Sequence, residues 1–140
     1  MKVLLAVDGS DYTKRMLAYL AAHDELLGPD TQYVAVTVVP PIPPHAANYL
    51  SKADLAGHYE DEAERVLAPV RQFTAQNGWN VEFLRRVGHA GDVVAQTANE
   101  GGFDLLVMGS HGHSAIGSLV IGSVTARVLA QCKTPMLIVR

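Results

Sequence analysis

Two glycines stand two residues apart, and a third follows nine residues later with a serine behind it: Gly109-Ser110-His111-Gly112 and Gly122-Ser123-Val124-Thr125. Glycine lets backbone N–H groups approach a ligand with no Cβ in the way, and a run of such amides makes a concave anion nest. Gly122-Ser123 falls where a helix begins, and free first-turn amides together with the helix dipole favour phosphate there. Ser123 adds a hydroxyl donor or serves as N-cap. Taken singly, each glycine is an ordinary chain turn. Taken together, after a strand and before a helix, they read as a cradle for a phosphate chain.

Other residues of chemical interest lead to weaker readings. His111 and His113 form an H-x-H pair that could hold a transition metal, but no third ligand is identifiable. His23, His45, His58 and His89 read as solvated side chains. Ser110-His111 is not expected to be a catalytic pair, because sequence neighbours seldom point at one another, and Met108 occupies the first glycine position of a nucleophile elbow. Asp8 could be a phospho-acceptor or general base, yet the aspartate and lysine that a receiver domain carries after its third and fifth strands are missing. Lys133-Thr134 follows Cys132 rather than a glycine loop, so there is no Walker A motif. The first strand–helix turn lacks G-x-G-x-x-G, which disfavours a dinucleotide site. Cys132 reads as a small buried hydrophobe, and the run Glu60 to Arg65 as the wet face of a helix.

The elements that would position the loop alternate from end to end. Apolar runs at Val3–Val7, Tyr33–Val39, Trp79–Val87, Phe103–Met108 and Pro135–Val139 read as strands. A helix starting after Ser10 and reaching Leu27 fills the first gap, closed by Gly28-Pro29. The segment Pro40 to Asn48 reads as an irregular surface loop. Ser51 and Asp54 form a capping box for a long helix to Gln76, which Pro69 must kink or split. Further helices run from Gly91-Asp92 to Gly101-Gly102 and from Gly122 to Gln131. This alternation predicts one α/β domain over residues 1–140: a doubly wound parallel sheet with helices on both faces and right-handed crossovers. Ligands in such sheets sit outside the C-terminal strand ends, where strand order reverses, so the loops starting at Asp8, Val39-Pro40 and Gly109 are where chemistry is expected.

Composition narrows the partners. The 140 residues are 49% hydrophobic and 18% charged with net charge −3, an ordinary globular balance with no basic field to hold nucleic acid. Asp8 interrupts the apolar opening Met1–Val7 too early for a signal peptide, and no stretch approaches a membrane span. With Cys132 the only cysteine, a cytoplasmic chain is expected.

The glycine spacing resembles the ATP-binding signature of the universal stress protein family. Val107-Met108-Gly109-Ser110-His111-Gly112, Gly122-Ser123-Val124-Thr125 and the ending Thr134-Pro135-Met136-Leu137-Ile138-Val139 are similar to that family's wording. Val7-Asp8-Gly9-Ser10 and Gly88-His89-Ala90-Gly91-Asp92 fit as well, so the likeness covers essentially the whole chain. The resemblance implies a five-stranded sheet in the order 3-2-1-4-5, with ATP, or ADP or AMP, held across the strand-order switch and magnesium or manganese as the accompanying ion. It implies that Asp8 meets the ribose and Val38 the adenine, with Ala6 and Val7 flanking the same pocket. Met108, Gly109, Ser110, His111, Gly112, His113 and Ser114 would wrap the phosphates, and Gly122, Ser123 and Val124 would close the cradle. It also implies a homodimer through the edge strand 135–139. One departure stands out: the family often has a basic residue where this chain has His113, which predicts weaker or pH-dependent phosphate binding. The functional expectation is a nucleotide-binding stress-response module, with a slow ATPase or a phosphoryl- or adenylyl-transferring enzyme as the alternative. A metal-binding or pure interaction domain is a third reading, left for a pocket that takes no nucleotide.

Overall fold

The computed structural model describes residues 1–114 and 120–140. Five parallel strands, β1 (Lys2–Ala6), β2 (Gln32–Val39), β3 (Val81–Val87), β4 (Leu105–Gly109) and β5 (Met136–Val139), lie in the order β3-β2-β1-β4-β5. The helices are α1 (Asp11–Ala22), α2 (Pro44–Ala47), α3 (Lys52–Gln76), α4 (Ala90–Glu100) and α5 (Ser123–Gln131). This is the sheet order expected.

The central strand explains why both faces are covered. Side chains alternate across a strand. Val3, Leu5 and Val7 therefore face Met16, Leu17 and Leu20 of α1 and Leu67 and Val70 of α3. Leu4 faces the other way, packing with Val34, Val36, Leu106 and the α4–α5 residues Val94, Ala95, Ala98 and Val128. Val3, Leu4 and Leu5 are fully buried, which is why the sequence shows a continuous apolar run here rather than an alternating one. The parallel register sets Leu4 beside Val34 on one side and Leu106 on the other. Trp79, expected in the third strand, instead precedes β3 and stacks on Tyr33 with ring centroids 4.8 Å apart.

Three helix expectations are revised. α1 stops at Ala22 instead of Leu27, because the His23 ring donates from Nδ1 to Tyr19 O at 2.8 Å, the carbonyl its own backbone would otherwise use. The His23 amide turns to Leu20 O instead, and a 3-10 turn covers Asp24–Leu26. The proline-rich segment is not wholly irregular, since Pro44 opens the single-turn helix α2, a position where a missing N–H costs nothing. Pro69 does not split α3, whose 25 residues are continuous. Pro69 and Arg65, whose carbonyl loses its partner, are both exposed, so water can satisfy that oxygen.

α4 and α5 are tied to each other by polar contacts. Arg127 donates from Nε and Nη2 to Asp92 Oδ1 and Oδ2 at 2.6 and 3.2 Å, and Gln131 adds a bond to Oδ1 at 2.8 Å. At the far ends of these helices Asn99 donates to Gln131 O and accepts from Lys133 N.

Two outcomes are expected. A Cβ at Gly109 would lie 2.6 Å from the Cβ of Tyr12, so Gly109→Ala should push α1 off β4 and cost about 1–3 kcal/mol in urea unfolding. The bonds from Arg127 and Gln131 hold the Asp92 carboxyl below the usual carboxylate range. A depressed folded-state value stabilises above the unfolded value and is lost as pH falls through the folded one. The stability gap between the wild type and Asp92→Asn should therefore be present at neutral pH and close in strong acid, as followed by denaturant unfolding across pH.

Candidate functional site

At the C-terminal end of β1 the chain turns sharply into α1. Asp8 Oδ1 accepts from the Ser10 amide and from the Thr13 hydroxyl, both at 2.9 Å, while Thr13 Oγ1 accepts from the Asp8 amide at 3.1 Å. Thr13 is itself buried, so this reciprocal turn holds the Asp8 carboxylate at the strand end with little freedom.

β4 ends beside it, and there each glycine of the motif has a packing reason. A Cβ on Gly112 would come 2.8 Å from Asp8 Oδ2, and one on Gly122 would come 3.0 Å from His111 Cα and 3.2 Å from Ser110 O. Gly122 sits that close because its amide donates to Ser110 O at 2.7 Å. The buried Thr125 hydroxyl donates to Gly109 O at 2.9 Å. The long loop is thus pinched shut at its base, and the start of α5 is drawn beside Gly109–Gly112. Its N-cap is Gly122, not Ser123, and a glycine N-cap offers no side-chain oxygen of its own to the first-turn amides. His113 Nε2 donates to Asp8 O at 2.6 Å, stitching the two loops together. The stretch 115–119, read from sequence as part of the loop, lies outside the described residues.

The resulting cleft lies at the switch between β1 and β4 and is partly open to solvent. Its floor and one wall are apolar: Ala6, Val36, Val38, Val94 and Met108. Asp8, Gly109, His111 and Gly112 form the polar side, with Val7, Val124 and Thr125 between. One depression continues from Gly112 past His113 to Gly9–Tyr12. Another runs over Ser123 and Val124 to Arg127 and the Gly88–Asp92 turn.

Most of the residues singled out from sequence therefore come together. Ser110 does not border the cleft: it is buried, and its Oγ lies 2.9 Å from His111 Nδ1. The neighbours that sequence reasoning kept apart do hydrogen-bond, but the hydroxyl faces the protein interior. Ser114 is exposed and lines none of these depressions, and Gly122 stands behind the loop as its spacer. Sequence reasoning missed Thr13, Val36, Ala90, Val94, Thr125 and Arg127. Val36 was findable, since it shares a strand face with Val38. The others come from helices whose approach to the cleft no local pattern encodes. Among the described residues, no cluster of three or more His, Cys, Asp and Glu side chains is placed to hold a metal ion. Among the described residues, no helix is long and apolar enough to cross a membrane.

Comparison with known proteins agrees with this architecture. The model of the universal stress protein family matches residues 1–140. A universal stress protein of Thermus aquaticus is 32% identical over 138 residues, covering 99% of this chain and 97% of the relative. One from Synechocystis is 34% identical over 139 residues, covering 99% of this chain but 42% of the relative, so this chain spans about two fifths of that protein. Among solved structures, MJ0577 of Methanocaldococcus jannaschii superimposes with a TM-score of 0.82 at 22% identity, covering 99% of this chain and 94% of that one. A universal stress protein solved in complex with cAMP has a TM-score of 0.64 at 26% identity, over 100% and 96% of the two chains. An Arabidopsis thaliana family member with AMP bound has a TM-score of 0.70 at 18% identity, over 99% and 90%. With its sheet order, its pinched glycine loop and a full-length match to the family model, the chain belongs to the universal stress protein family.

Proposed function

We propose that the cleft binds an adenine nucleotide, ATP or a shorter relative, and that the protein acts as a nucleotide-responsive binding module. The base would lie against Ala6, Val7, Val38 and Met108, with Asp8 accepting from the ribose hydroxyls. The phosphates would follow Gly109, His111, Gly112 and His113 towards Ser123 and Val124. The observation that carries this reading is the juxtaposition of an apolar slot, a pinned carboxylate and a helix start with a glycine N-cap within one cleft. A flat base needs the first and a ribose diol the second. An anion is favoured by the third. Bound AMP and cAMP in two proteins of the same fold support the ligand class. The same reading takes the protein to be cytoplasmic, where adenine nucleotides are abundant.

The same reading includes a homodimer through β5. Among the described residues this strand pairs only with β4 and forms an edge of the sheet, and edges of that kind are commonly covered in stable proteins. Sedimentation equilibrium should give twice the chain mass.

The first test is to denature freshly purified protein and identify the released nucleotide by mass spectrometry. An adenine nucleotide in near-stoichiometric amount is expected; no release, with no calorimetric uptake of added AMP, ADP or ATP, would refute the reading. Gly112→Ala should drive the new methyl against Asp8 and weaken binding about tenfold or more, roughly 1.4 kcal/mol. His113→Lys should raise the affinity for ATP by setting a permanent cation beside the phosphate path. Calorimetric titrations with ATP check both variants.

A further inference from the structure

Arg127 occupies the groove that leaves the cleft between the starts of α4 and α5. The groove shares Ala90 and Val124 with the cleft, so the two are continuous, and Ser123 lies on the path between them. The stem of Arg127 crosses Gly91, where a Cβ would meet its Cδ at 2.9 Å. Its guanidinium is engaged edge-on by both oxygens of Asp92. Among the described residues bordering the cleft and its two depressions, Asp8, Asp11 and Asp92 are acidic and Arg127 is the only Lys or Arg. Each phosphate added to a nucleotide adds negative charge, so a di- or triphosphate brings to this acidic cleft a demand for cations that a monophosphate brings to a lesser degree.

We propose that Arg127 sets the preference for di- and triphosphates over monophosphates in this chain, with the Asp92 carboxylate as its built-in competitor. This inference rests on the nucleotide-binding reading. A phosphate chain running past Ser123 into the groove takes the guanidinium from Asp92, since the same planar fork that fits two carboxylate oxygens fits two phosphate oxygens. The exchange is cheap. The side chains of the pair are 61% and 40% exposed, and an ion pair so open to water contributes little by itself. Asp92, once released, stays solvated and keeps Gln131 as a donor. The discriminating positive charge thus comes from α5.

The two partners of the clasp make the test selective, because removing either breaks the same ion pair but should move ATP affinity in opposite directions. Calorimetry on the full chain with AMP, ADP and ATP would be run on the wild type, Arg127→Gln, Arg127→Lys and Asp92→Asn. Arg127→Gln should weaken ATP roughly tenfold and leave AMP within about twofold, as expected for one lost charge-assisted pair. Arg127→Lys should recover part of that loss. Asp92→Asn should tighten ATP several-fold by removing the competitor, although it lowers thermal stability as Arg127→Gln does. A merely structural clasp would lower affinity for all three nucleotides in both variants, and that result would overturn the proposal. If the wild type takes up no nucleotide, the underlying reading fails and this one with it. If the wild type binds but the variants do not separate ATP from AMP, only the role of Arg127 is lost.

Discussion

The backbone hydrogen bond from Gly122 N–H to Ser110 O is the contact on which the candidate site depends. It brings a helix start and a strand end together across a long loop, and it forms only because Gly122 has no Cβ to strike His111 and Ser110. Thr125 locks the same junction from inside by donating to Gly109 O. Without that closure α5 would have no reason to present its first turn to the cleft, and the loop would be a surface excursion. The motif glycines are thus spacers that let three backbone segments approach one another. Whatever they offer a ligand follows from that packing.

The second constraint is the placement of Asp8. A carboxylate at a strand end could take many rotamers, but the Ser10 amide and the Thr13 hydroxyl leave Oδ1 engaged and Oδ2 directed at Gly112. His113 binds the carbonyl of the same residue. Two loops far apart in sequence therefore meet at one amino acid, on opposite sides of the strand-order switch. Parallel sheets collect loops at this point because the chain departs in opposite directions from adjacent strands.

The electrostatics of the site are unusual in their economy. The cleft and its grooves hold more carboxylates than strong cations among the described residues. The anion-favouring features of the cleft itself are backbone amides and histidine, with the single guanidinium at its margin already engaged by Asp92. Fixed amides attract an anion without carrying net charge. A site of this kind therefore has its response to phosphate number set by few side chains.

The sequence by itself determined the order of elements, the two-sided burial of β1 and the candidate loop, because each is written in a local pattern: a continuous apolar run, a helical period, a glycine spacing. The family resemblance added the strand order 3-2-1-4-5 and Asp8 as a ribose contact. Boundaries were less legible where a side chain competes with the backbone, as His23 does at the end of α1, or where exposure forgives a proline, as at Pro69. Only the tertiary structure decided that Ser110 turns inward, that Gly122 rather than Ser123 caps α5, and that Thr13, Val94 and Thr125 join the cleft. It alone set Arg127 against Asp92, 35 residues away in sequence. These facts depend on how helices seat on the sheet, a matter of side-chain volumes meeting across long sequence separations, and no local period carries that information.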